Sequence, residues 1–249
     1  MHKKLIAAAV SLIVIGTVGA IFTAKAYFST TTETKEFSFS GNEVQNIQVY
    51  AGTAEVIFSE SDGSDLVIQS IYSSNRNQAE VTLDENTLHV QSNKKSNVNI
   101  GFSFSKEKNR IRIQVPKQIF GKIEIESELG DITLGAVQTD SLSVFTETGS
   151  VTVRETQTKK MDIKSELGSV KITRSTGDII IDNEMGNVEV AADSLDHNFN
   201  INNEMGSIHI STKNPPTYSY QPLPKWDPSG FSIRRLVLSV PATKRKKWN

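Results

Sequence analysis

Five glutamates recur at a near-constant interval: Glu128, Glu147, Glu166, Glu184 and Glu204. Each stands two residues ahead of a glycine (Gly130, Gly149, Gly168, Gly186, Gly206), and the glycines are 19, 19, 18 and 20 residues apart. Carboxylates repeated like this could collect a cation or polycation, share acid and base roles, or line a solvated edge. Stacked strands step by about 4.8 Å, where like charges in water repel by about 1 kcal/mol. Such a column splays into solvent, takes up protons or binds a cation. Acid–base catalysis needs carboxylates in unlike surroundings, whereas a repeat gives each the same surroundings. The Gly/Asp-rich nonapeptide of calcium-binding solenoids is absent. A solvated turn edge is therefore the expected role of the five.

Other reactive groups are sparse. The chain has no cysteine, which removes thiolate nucleophiles, zinc–cysteine sites, disulfides and an N-terminal lipidated cysteine. His2, His89, His197 and His209 show no ligand spacing. Neither a nucleophile-elbow motif nor a phosphate-cradling glycine loop occurs. We expect no catalytic, cofactor-binding or metal site, and so no enzyme. A polysaccharide-cleaving activity stays open only by analogy with other β-helical proteins. The formal net charge of −1 gives no basic field for nucleic acid.

The elements that carry the glutamates follow from the residues around each glycine. Two and four residues after it are apolar: Ile132/Leu134, Val151/Val153, Val170/Ile172, Val188/Val190 and Ile208/Ile210. Seven and five residues before it are apolar too: Ile123/Ile125, Leu142/Val144, Met161/Ile163, Ile179/Ile181 and Phe199/Ile201. Alternation at period 2 means short strands with one buried face. One unit cannot bury its own apolar face, so the copies must stack. The prediction is an all-β fold, a β-solenoid of about 19-residue repeats over 121–211. A twisted sandwich of hairpins is the alternative, because the four residues between the strands could close a hairpin. Residues 36–115 read as earlier, less regular coils, with alternating pairs such as Ile47/Val49, Leu66/Ile68, Val81/Leu83 and Ile111/Ile113. Asp62–Ser64 and Asp84–Asn86 read as turns.

The ends carry different signals. His2-Lys3-Lys4 precedes Leu5–Ala24, a run of 20 residues without charge. At about 1.5 Å per residue such a run spans one bilayer core, and the leading lysines place the N-terminus inside. Residues 1–26 are therefore expected to be an N-terminal transmembrane helix. The C-terminal domain would then be extracytoplasmic at the cell membrane, with net charge −4. Ala24-Lys25-Ala26 also resembles a signal-peptide cleavage site. Residues 27–35 form a Thr-rich spacer. Asn214–Gly230 holds five of the seven prolines with Tyr218, Tyr220 and Trp226. Proline cannot donate to a sheet ladder, so 212–240 is expected to cap the solenoid, with an aromatic platform for a sugar or peptide as the rival reading. Residues 241–249 form a basic tail, Lys244-Arg245-Lys246-Lys247.

The repeated unit has Ser, Asn or Thr, then Glu, Leu or Met, Gly, a small polar residue and an apolar alternation. Ile111-Arg-Ile-Gln-Val-Pro116 precedes it. Together these resemble the putative-adhesin domain family of bacterial envelope proteins over residues 40–240. Thr148 departs from the Leu/Met position. LiaG-like members of Gram-positive envelope-stress operons are similar in joining an N-terminal membrane segment to such a domain. The resemblance implies a β-repeat fold and no defined catalytic residues. It implies a membrane-anchored interaction module in the cell-envelope stress response, with a membrane-protein partner. The alternative is a surface adhesin binding cell-wall polymer or glycan. The sequence does not set the oligomeric state, the solenoid handedness or the ligand.

Overall fold

In the computed structural model the structure describes residues 32–73, 78–92, 109–194, 197–214 and 234–238. The segments Leu5–Ala24, Pro215–Gly230 and Lys244–Lys247 lie outside the described residues. Among the described residues no helix is long and apolar enough to cross a membrane. A single 3-10 turn, Gly41–Glu43, is the one described departure from strand and loop.

The strands are β1 (Glu33–Ser40), β2 (Asn46–Tyr50), β3 (Glu55–Glu60), β4 (Asp65–Tyr72), β5 (Ala79–Asp84), β6 (Thr87–Ser92) and β7 (Arg110–Val115). The repeat follows as β8 (Ile119–Leu129), β9 (Ile132–Gly135), β10 (Gln138–Thr148), β11 (Val151–Arg154), β12 (Gln157–Leu167) and β13 (Val170–Thr173). It continues through β14 (Thr176–Met185), β15 (Val188–Ser194), β16 (Phe199–Met205) and β17 (Ile208–Asn214), and β18 (Arg234–Leu238) comes last. They form two nine-stranded sheets, one built on the long strands and one on the short.

Each repeat gives its long strand to one sheet, turns at the glycine and gives its short strand to the other. Like pairs with like, in parallel: Ile125↔Val144↔Ile163↔Ile181↔Ile201 on the long side. On the short side the row is Ile132↔Val151↔Val170↔Val188↔Ile208. This is the predicted β-solenoid. The hairpin alternative fails because the two strands of one unit lie in different sheets. Of the twenty apolar positions read from the repeat, all but Ile208 and Ile210 are buried, and those two pack against the core from the last coil. Burying such a side chain contributes about 1.5–3 kcal/mol, so this ladder is the main source of stability.

The region before the repeat needs a correction. Strands β2 and β3 do form a parallel coil directly against β8 and β9. Strands β6 and β7 form another, but it stacks outside β2 and β3, so the chain order is inverted there. Strands β1, β4 and β5 are not coils. They run antiparallel to β4, β7 and β6 respectively. They pair the backbone groups that an open solenoid end would leave bare. At the other end β18 runs antiparallel to β16, whereas residues 212–214 of the predicted cap 212–240 extend β17, parallel to β15. The turns at Asp62–Ser64 and at Glu85–Asn86 fall where expected.

Candidate functional site: a groove on the long-strand sheet

The outward side chains of β6, β2, β8 and β10 line an open groove of about 340 Å³. Alternation decides which residues reach it. Val49, Ile125 and Val144 point into the core, so their neighbours Tyr50, Glu126 and Phe145 point out. Register then sets them in one row, Tyr50↔Glu126↔Phe145. The two rings stand two strand steps apart, about 10 Å, with a carboxylate between. A parallel row runs His89↔Gln48↔Glu124↔Ser143.

The polar groups differ in what holds them. Glu124 accepts a hydrogen bond from the Gln48 amide at 2.8 Å and pairs with the Lys122 ammonium at 2.5 Å. The ammonium beside it holds the Glu124 carboxyl below the usual carboxylate range against partial burial. The Tyr50 hydroxyl donates to the Glu128 carboxylate. Burial first, then the Glu128 carboxylate, pushes the Tyr50 phenol above its ordinary value. The phenol therefore stays a neutral donor, and its ring is pinned at one end. Glu126 is exposed and lines the groove, and among the described residues it has no hydrogen-bond or ion-pair partner. The site offers aromatic faces, amides, an imidazole, the Ser143 hydroxyl and the Glu124 and Glu126 carboxylates. Such a lining suits binding of a polar, ring-bearing ligand.

Of the residues singled out from the sequence, the glutamate column forms as expected. Glu147, Glu166, Glu184 and Glu204 are exposed and Glu128 is half-buried. Paired residues on both sides keep them in line, as at Thr146↔Ser165 and Thr148↔Leu167. Among the described residues no three His, Asp or Glu side chains gather as a metal site. His89 lines the groove, whereas His209 lies on the short-strand sheet. The aromatic platform read at Tyr218, Tyr220 and Trp226 lies outside the described residues. Sequence reasoning missed Tyr50 and Phe145, which are 95 residues apart and meet only through register.

It also missed a buried polar column. Ser127, Thr146, Ser165, Asn183 and Asn203 each stand three residues before the glycine and are nearly inaccessible. The Asn183 amide donates to Asn203 Oδ1 at 2.7 Å, and the Asn203 amide donates to the Gly186 carbonyl at 3.0 Å. The signal was available: the first residue of every motif copy is small or amide-bearing and never apolar.

Two sheets of parallel strands wound as a solenoid, with antiparallel strands closing an end and an open groove on the long-strand sheet, define a β-solenoid domain. The chain belongs to the Toastrack DUF4097 family, whose model matches residues 44–222. No curated protein matches it. Among solved structures, a "putative cell adhesion protein" from Clostridium sporogenes is similar at 13% identity and TM-score 0.54, covering 74% of this chain and 100% of that one. A "putative adhesin" from Bacteroides fragilis aligns at 14% identity and TM-score 0.34, covering 74% of this chain and 96% of that one. The first likeness shows the fold alone.

Proposed function

We propose that this protein is a non-enzymatic adhesin-like module that binds cell-wall polymer or glycan along the groove of the long-strand sheet. The Tyr50–Glu126–Phe145 row carries this reading. Aromatic faces stack on the apolar faces of sugar rings, and flanking carboxylates and amides take the hydroxyls. The groove is open, so a polymer can run through it.

The apolar run Leu5–Ala24 supports a further step: a tether that holds the module outside the cell membrane, N-terminus inside. On that footing a membrane-protein partner in the envelope-stress response is the second reading.

The test is sedimentation of the purified protein with isolated cell walls. Phe145→Ala and Glu126→Gln should each weaken retention by about tenfold, and Trp226→Ala should leave it unchanged. Retention that survives both groove changes but falls with Trp226→Ala would move the site to the proline-rich segment. Retention insensitive to all three would refute a stacked-glycan site.

A further inference from the structure

The residue between each ladder glutamate and its glycine is exposed and, in four of five copies, large and apolar. Leu129, Leu167, Met185 and Met205 are 59, 47, 45 and 49% exposed. Thr148 is the exception. Register aligns them as Leu129↔Thr148↔Leu167↔Met185↔Met205, a stripe down one corner of the solenoid broken only at Thr148. At about 4.8 Å per coil the stripe is about 19 Å long. The glutamate column runs beside it. In the five four-residue corners from glutamate to the residue after glycine there are six acidic groups, the five glutamates and Asp131, and no basic one.

An exposed apolar stripe with a single-sign charged border is a recognition surface. We propose that this corner docks a cationic amphipathic α-helix from a partner protein. A second copy of this chain is a poor occupant, because stripe against stripe brings two glutamate columns together. An anionic lipid surface is repelled for the same reason. A helix answers both features. Its apolar residues at i, i+3/4, i+7 and i+11 advance about 5.4 Å per turn, close to the coil step of about 4.8 Å. Over the whole stripe the two repeats drift apart by only about 2–3 Å. Lysines or arginines on the flank then sit above the glutamates. Met185 and Met205 are adaptable side chains of the kind that helix-binding surfaces use.

The test uses a synthetic Leu/Lys helix of about 18 residues with one apolar face, titrated against the full-length protein in detergent. Two comparison peptides are a scrambled Leu/Lys sequence of the same composition and a Leu/Glu helix. Two variants are L129S/L167S/M185S/M205S and E147Q/E166Q/E184Q/E204Q, the latter keeping side-chain volume. The amphipathic Leu/Lys helix should bind, and each variant should weaken it by at least about tenfold. The scrambled and Leu/Glu peptides should bind at least about tenfold more weakly to the native protein. Equal binding of the scrambled peptide would overturn the proposal, as would full binding by either variant. So would a protein dimer that dissociates in the Leu/Met variant, which makes the stripe a self-interface. Binding to phosphatidylcholine vesicles that the Leu/Met variant loses makes it a membrane contact and overturns the proposal equally.

Discussion

The carbonyl oxygen of Gly186 lies 1.8 Å from where a Cβ on Gly206 would stand. The relationship repeats down the corner: 1.9 Å from Gly186 to the Gly168 oxygen, 2.0 Å from Gly168 to Gly149 and 2.3 Å from Gly149 to Gly130. The column continues below the repeat, where Gly130 meets the Ala54 oxygen at 2.5 Å. Each obstacle is backbone and cannot swing aside. Close approach thus requires glycine at all five corners, and at four of them φ does as well, being +135° at Gly206 and +144° at Gly186.

Gly186→Ala should therefore destabilise by about 2–4 kcal/mol, combining overpacking with a disfavoured φ. Gly135→Ala is the control. Its Cβ would meet only the Phe58 oxygen, at 3.6 Å, and it should cost under about 1 kcal/mol. Urea unfolding of the two variants checks this. Equal midpoints would mean that the coils can spread at the corner.

The solenoid was legible because its twenty apolar positions and five glycines are local and periodic. Period 2 says which side chains are buried but not which strand lies alongside, or in which direction. Ile47/Val49 and Leu66/Ile68 alternate alike, yet β2 is a parallel coil strand and β4 an antiparallel closing strand. The groove was invisible for the same reason. Tyr50 and Phe145 are isolated aromatics until β8 pairs with β2 on one side and β10 on the other.

The buried amide ladder yields a second prediction. Asn203→Ala removes the acceptor of Asn183 and the donor to the Gly186 carbonyl together. Stranding a buried donor costs about 1–3 kcal/mol. Asn183→Ala and Asn203→Ala should be coupled in a double-mutant cycle by about 0.5–3 kcal/mol. Additive losses in thermal unfolding would show that each amide acts with the backbone alone.

Burial of the Tyr50 phenol, with its hydrogen bond to Glu128, makes stability depend on alkaline pH. The folded phenol holds its proton more tightly than the unfolded one, so the stabilisation is complete below the ordinary tyrosine value, about 10. It is lost as pH rises from there towards the folded value, because the unfolded state then releases the proton first. Between pH 8 and 11 the native protein should lose more stability than Tyr50→Phe, which has no proton to lose. Parallel urea-midpoint curves for the two would show that the Tyr50 phenol does not contribute.

The opposite corner of the coil reverses the glycine rule. Ala136, Glu155 and Arg174 hold φ of +49°, +54° and +49°, one per coil at equal spacing, where side-chain-bearing residues are disfavoured. That conformation costs about 1–2 kcal/mol for a residue with a Cβ. Glycine loses about 0.5–1 kcal/mol more backbone entropy on folding. Ala136 has no ion pair to forfeit, whereas Arg174 and Glu155 pair with each other. Ala136→Gly should therefore stabilise by up to about 1 kcal/mol and raise the melting temperature by a few degrees. Gly186→Ala, the reverse exchange at the other corner, should lower it. Melting temperatures that moved in the same direction would show that the two corners are not held by the opposite backbone demands found here.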